Sequence, residues 1–222
     1  MNRTFEEDLD KLRTRLIRMG SLVEEQVEFA LRALREGNLE LAKIVIDRDD
    51  KVDKLDLKID KQVQRIFALN QPVATDLRLL LAALKINNEL ERIGDMATNL
   101  ASIALISPSA VQLANQIDLH RLAGAAFTML KSSLDAFINN DPELAAHILP
   151  SDSNVDQLYD RLRSDLVEIM KADSLLVADG SLLLVGLYTL ERMADHATNI
   201  AENVIFLTES KLVRHRSVNE GK

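Results

Sequence analysis

One stretch of this chain occurs twice. Glu91 to Ala101 reads E-R-I-G-D-M-A-T-N-L-A, and Glu191 to Ala201 reads E-R-M-A-D-H-A-T-N-I-A. An internal repeat of this kind restricts the fold to two like units laid end to end in sequence. The repeat is helical by period. Leu79, Ala83, Ile86, Leu90, Ile93, Ala97, Leu100 and Ala104 recur every three or four residues, which lays them along one face of a helix.

Beside that stripe runs another that changes character. It begins apolar at Leu77, Leu80 and Leu84 and turns polar at Glu91, Asp95 and Asn99; in the second copy Leu184 and Leu187 lead into Glu191, Asp195 and Asn199. Carboxylates at i and i+4 stand roughly 5–6 Å apart at Cβ and repel. The helix itself offers little relief: the neighbours of Glu91 at three and four residues are Asn87, Asn88, Gly94 and Asp95. Arg92 and Arg192 are the local cations for Asp95 and Asp195.

The repeat extends backwards. Asp49 to Leu55 and Asp152 to Leu158 both read D-x-x-V-D-x-L, again with acids at i and i+4 and no Lys or Arg three or four residues away. Val52 and Val155 lie on apolar stripes, so these Asp pairs stand at the margin of a buried face. Each half thus carries two acidic pairs on consecutive helices, which short connections set antiparallel. Three readings of such a cluster are open. Oxygen-only donors suit a hard cation such as iron, manganese or magnesium, or less typically zinc. The acids could instead meet arginines from other helices, or form a docking face. His196 lies a quarter turn off the acidic stripe, and His120, His147 and His215 are scattered; surface or packing roles are expected for them.

The punctuation marks six long helices. The first covers about Phe5–Arg35 and ends at Gly37-Asn38. The second covers Leu39–Leu69 and stops at Gln71-Pro72. The third is capped by Thr75 or Asp76 and runs to Ser107-Pro108. The fourth starts near Val111 and ends at Asn139-Asn140. The fifth opens on Asp141-Pro142-Glu143, with a kink at Leu149-Pro150-Ser151, and reaches Ala172. The sixth follows Asp179-Gly180-Ser181 and fades near Glu209. The expected architecture is all-α: two tandem three-helix bundles, residues 1–108 and 109–210, followed by a polar tail, residues 211–222.

Composition supports that reading. Seven Gly, four Pro and 47% hydrophobic residues argue for helices around an aliphatic core, and the absence of Cys excludes disulfides, thiolate ligands and a Cys nucleophile. The first residues lack the apolar segment of a signal peptide, and the longest apolar run, Leu182 to Leu190, falls short of a bilayer span. A soluble cytoplasmic protein is expected. A net charge of −8 disfavours general nucleic-acid binding.

Gln71-Pro72 followed by Asp76-Leu77-Arg78, then E-R-I-G-D and E-R-M-A-D-H-A-T-N-I-A-E, with Leu12 to Gln26 in the first helix, resemble the PhoU family over nearly the whole chain. The resemblance implies a six-helix, dimeric, cytoplasmic regulator that is not an enzyme. Such a protein acts between a Pst-type phosphate ABC transporter and a PhoR-type sensor histidine kinase, and restrains the phosphate-starvation response. It also implies metal clusters, iron foremost, at Asp49, Asp53, Glu91 and Asp95 and at Asp152, Asp156, Glu191 and Asp195. Two departures stand out: Ala194 replaces the glycine of the first motif, and the second half lacks the Gln-Pro…Asp-Leu-Arg element. The alternatives are a metal-free helical adaptor serving another transporter and a ferritin-like di-metal oxidase. The oxidase is disfavoured because none of the four histidines has a Glu three residues before it.

Overall fold

A computed structural model describes residues 3–209, with side chains from Phe5 onward; the tail predicted at 211–222, and His215 within it, lie outside the described residues. The chain is all-α. Its helices are α1 (Arg3–Glu36), α2 (Leu39–Leu69), α3 (Ala74–Ile106), α4 (Pro108–Gln116), α5 (Leu119–Asn139), α6 (Pro142–Ile148), α7 (Asp152–Ala172) and α8 (Val177–Glu209). Short 3-10 turns lie at Leu149–Ser151 and Ser174–Leu176.

The six expected rods are present, but two are broken and three start elsewhere. The fourth rod divides at Asp118, whose backbone is left-handed (φ 62°). No Gly or Pro marks the break, so the sequence does not punctuate it. The rod also begins earlier than Val111: Ser107 Oγ accepts from the Ala110 amide at 3.1 Å, and Pro108 takes the first helical position. The fifth rod breaks at the expected Leu149-Pro150-Ser151, because proline removes a donor and crowds the preceding turn.

The third rod begins at Ala74 with no side-chain cap, so Thr75 and Asp76 lie inside its first turn. In the sixth, Asp179, Gly180 and Ser181 are already helical. Gly180 is there for closeness: a Cβ would stand 2.4 Å from the Met170 sulfur and 2.6 Å from its Cγ, so α7 and α8 touch at this point. Gly37, by contrast, serves the turn it was read as, with φ +66°. Asn38 then caps α2 by accepting from Leu41 N at 3.1 Å.

α1, α2 and α3 pack on one another, and α8 packs on α5, α6 and α7. The halves join along α3 and α8, which run antiparallel: Glu89 meets His196 and Asn199, while Gly186 lies against Leu100 and Ile103. The core is continuous across this seam. Leu12, Leu16, Met19, Leu90, Ile93 and Leu100 are among its fully enclosed side chains, each contributing about 1.5–3 kcal/mol by removal from water. α8 is long and apolar enough to cross a membrane by length and composition; here Leu183, Leu187, Leu190 and Met193 are buried on the inner face of the second half, while Val177, Val185 and Tyr188 are exposed.

Candidate metal centres

The antiparallel packing of α2 on α3 and of α7 on α8 brings the acidic pairs of each half together. On α3, the Glu91 carboxyl is held above the usual carboxylate range by burial, then by the charge of Asp95, with Asp56 and Asp53 of α2 adding and Arg92 opposing. Asp95 is raised by burial and by Asp49 and Asp53, again against Arg92. These mutual effects place Asp49, Asp53, Glu91 and Asp95 in one electrostatic cluster.

The second half repeats the arrangement. Asp152 is raised by burial, then by Asp195 and Asp156, while the Thr198 hydroxyl works the other way. Glu191 is raised by burial, then by Asp195, Asp156 and Asp152, with Arg192 opposing. Asp195 is raised chiefly by burial, with Asp156 adding and the Arg192 guanidinium opposing. The quartet Asp152, Asp156, Glu191 and Asp195 thus forms the second cluster.

Arginine does not neutralise either quartet. Arg92 reaches Glu91 at 3.6 Å and Asp95 at 3.9 Å, and Arg192 reaches Asp195 at 3.3 Å. All are partly exposed contacts that contribute little. Asp49, Asp53, Asp152 and Asp156 pair with no Lys or Arg among the described residues. The donor chemistry, oxygen throughout, fits a hard cation, and one donor stands idle: Glu191 Oε2 is buried without a hydrogen-bond partner. As the side chains stand, however, no three His, Asp or Glu among the described residues are gathered closely enough to hold an ion. Ligation would therefore require the carboxylates to turn inward.

Several residues that support the clusters lie outside the sequence motifs. Gln26 of α1, 1% exposed, donates from Nε2 to Asp49 Oδ1 at 3.1 Å, and the same nitrogen lies 3.3 Å from Thr98 Oγ1 and 3.4 Å from the Val45 carbonyl. It interrupts the apolar series Val23, Val27, Ala30, and a polar residue in such a stripe is the signal that marks it. Asp56 lies one turn beyond Asp53, its carboxyl raised by burial and then by Asp60 and Asp53. Gly94 leaves room beside this group, since a Cβ would lie 3.3 Å from Val52 Cγ1 and 3.8 Å from Asp49 Oδ1.

His196 is not on the surface. It is buried, and its Nδ1 lies 2.5 Å from Glu89 Oε2, which also accepts from Asn199 Nδ2 at 3.2 Å. It therefore clamps α8 to α3. His120 and His147 are exposed, and His120 meets Asp118 at 2.9 Å.

The model of the PhoU domain matches residues 16–104 and again 119–204. A phosphate-specific transport system accessory protein PhoU homolog from Zymomonas mobilis is 35% identical over 215 residues, spanning 97% of this chain and 91% of that protein. One from Caulobacter vibrioides is 36% identical, spanning 96% and 94%. The crystal structure of PhoU from Pseudomonas aeruginosa matches with a TM-score of 0.86 at 34% identity, over 93% of this chain and 100% of that one. The phosphate transport system regulatory protein PhoU from Streptococcus pneumoniae matches at 0.85 and 30%, over 94% and 99%. With the domain matched once in each half, and the fold and nearly the full length in common with PhoU proteins, the chain belongs to the PhoU family.

Proposed function

We propose that this protein is an accessory regulator of phosphate transport, holding down phosphate uptake and the phosphate-starvation response when phosphate is plentiful. It acts in the cytoplasm, as a homodimer, between a phosphate ABC transporter and a sensor histidine kinase, and it binds rather than catalyses. The observation that carries the reading is the near full-length match to phosphate-specific transport accessory proteins, with both acidic repeats inside the matched segments. Deletion in the host is expected to raise starvation-gene output in phosphate-replete medium, and restoring the chain to lower it. Unchanged uptake and output after deletion, with no second copy present, would refute the reading.

The quartets are read as metal centres, with iron first and manganese, magnesium or zinc as the other candidates. Support comes from uncompensated carboxylates on facing helices and from the idle oxygen of Glu191. Asp49, Asp53, Glu91 and Asp95 would hold one centre; Asp152, Asp156, Glu191 and Asp195 would hold the other. One observation favours a second reading, a metal-free adaptor: no three of these side chains are gathered around a point. Metal content of protein purified without chelator, compared with an Asp53→Ala, Asp95→Ala, Asp156→Ala, Asp195→Ala variant, separates the two. Equal trace metal in both proteins would favour the adaptor.

A further inference from the structure

The left-handed turn at Asp118 seats the last turn of α4 and the first turns of α5 against the C-terminal third of α1, and a pocket of about 270 Å³ opens between them. α1 and α5 run antiparallel: Gly20 lies against Leu134, while Asn115 Nδ2 of α4 donates to the Arg35 carbonyl at 3.0 Å. The pocket therefore lies on the seam between the halves, a usual place for small-molecule sites. Its α4 wall falls between the two matched segments of the chain, so it belongs to the junction and to neither repeat. The floor is apolar, built from Leu31, Leu34, Ala114, Leu119, Ala123 and Phe127. Gly124 also lines it, and a Cβ there would meet nothing within 4 Å, so the open space begins at the α5 backbone.

Charge is spread unevenly along this pocket. The antiparallel pairing sets Arg35 and His120 at one end and Glu28 and Phe127 at the other, about 10 Å away along α1. Arg35 Nη2 and Arg32 Nε both turn to a single oxygen of Glu36, at 2.8 and 3.7 Å. His120 and Arg121 share Asp118 in the same way, at 2.9 and 3.8 Å. Two carboxylates thus answer three guanidinium groups and an imidazole. One end of the pocket is electropositive on a chain of net charge −8.

We propose that this pocket takes a medium-chain acyl or alkyl anion, with its hydrocarbon between α1 and α5 and its head at Arg35 and His120. A dry cavity of roughly 150 Å³ holds one benzene; in proportion, about 270 Å³ takes about ten carbons. A free fatty carboxylate and an alkyl phosphate ester share this chemistry. The chain supplies most of the affinity, about fourfold for each methylene taken from water. The head adds less, up to about fivefold, because the arginines on the rim are half exposed. An occupant touches both halves and braces α4 against α1, whether or not the quartets hold metal.

Titration calorimetry on the full-length protein tests this with hexanoate, octanoate and decanoate below micelle formation, and with decyl phosphate, decan-1-ol and decyltrimethylammonium. One decanoate is expected per chain, with affinity rising about fourfold per methylene across the series and decyltrimethylammonium weakest among the ten-carbon probes. Gly124→Leu places a side chain in the open space; it should fold as well as wild type, since leucine is the better helix former, and bind decanoate about a hundredfold more weakly. Arg35→Gln should weaken decanoate toward decan-1-ol and leave decan-1-ol unchanged. Decyl phosphate binding more tightly than decanoate identifies a phosphate ester as the source, and the reverse order a free acid. No decanoate bound, an affinity indifferent to chain length, or a Gly124→Leu variant that binds like wild type each overturns the site. Decyltrimethylammonium binding as tightly as decanoate overturns the anionic head.

Discussion

Glu191→Gln should stabilise the metal-free protein. The Glu191 charge faces Asp195 one turn along α8 and both Asp156 and Asp152 on α7, with Arg192 as the opposing cation. A like-charge pair at this kind of spacing costs about 0.2–0.5 kcal/mol. Three repulsions less one attraction, screened by partial exposure, leave about 0.5–1 kcal/mol. Glutamine removes the charge, and its amide can donate to the neighbouring carboxylates. For a chain of this size the gain corresponds to a rise in Tm of about 1–4 °C.

The pH dependence has a definite sign. The folded pKa of Glu191 is raised, so the folded state binds the proton more tightly than the unfolded one. Its contribution to stability is therefore fully present below the ordinary value of about 4.3 and is lost as pH rises through the folded value. The gap between variant and wild type should close as pH falls through that window. Thermal melts in EDTA at neutral and mildly acid pH read both effects. On the proposed metal reading the order should reverse with manganese or iron(II) saturating, because the variant would lack one of the four ligands. A lower Tm for Glu191→Gln in EDTA at neutral pH would refute the electrostatic reading of the cluster.

Gln26→Ala should cost about 2–3 kcal/mol in a denaturant titration, since it opens a buried space and strips Asp49 of its donor; a loss under 1 kcal/mol would mean that Gln26 is not holding the cluster. Glu89→Ala should destabilise by about 1–3 kcal/mol by leaving buried His196 and partly buried Asn199 without the carboxylate they share, and a neutral result would remove the clamp between α3 and α8. Gly180→Ala should lower stability by about 1 kcal/mol or more despite alanine's better helix propensity, because Met170 occupies the space; a more stable variant would show that α7 yields easily.

What could be read from the sequence was whatever repeats along one helix. The four-and-three spacing placed Leu90, Ile93, Ala97 and Leu100 in the core, where all four are fully enclosed. The i, i+4 acids defined which carboxylates share a face. The cap at Asp141 was visible because its chemistry is local: a side-chain oxygen meets amides two and three residues on. The break at Asp118 was not visible. Its left-handed backbone is set by how α4 and α5 seat on the bundle, and Asp tolerates it without glycine.

Partners on different helices were the harder part, because they depend on register between segments far apart in the chain. Glu89 and His196 are 107 residues apart, and nothing in either neighbourhood says that they meet. Gln26 and Asn87 are different. Each breaks an apolar stripe, and an uncharged amide on a core face must find partners across the helix boundary. The two copies also differ there: residue 87 is Asn, whereas residue 187 is Leu. Comparing the repeats one turn upstream of the shared E-R motif therefore exposes the asymmetry that the identities conceal. Two halves alike at their quartets are unlike one turn away: Asn87 Nδ2 donates to Asp56 and Asp60 across the α2–α3 boundary, whereas Leu187 is simply core.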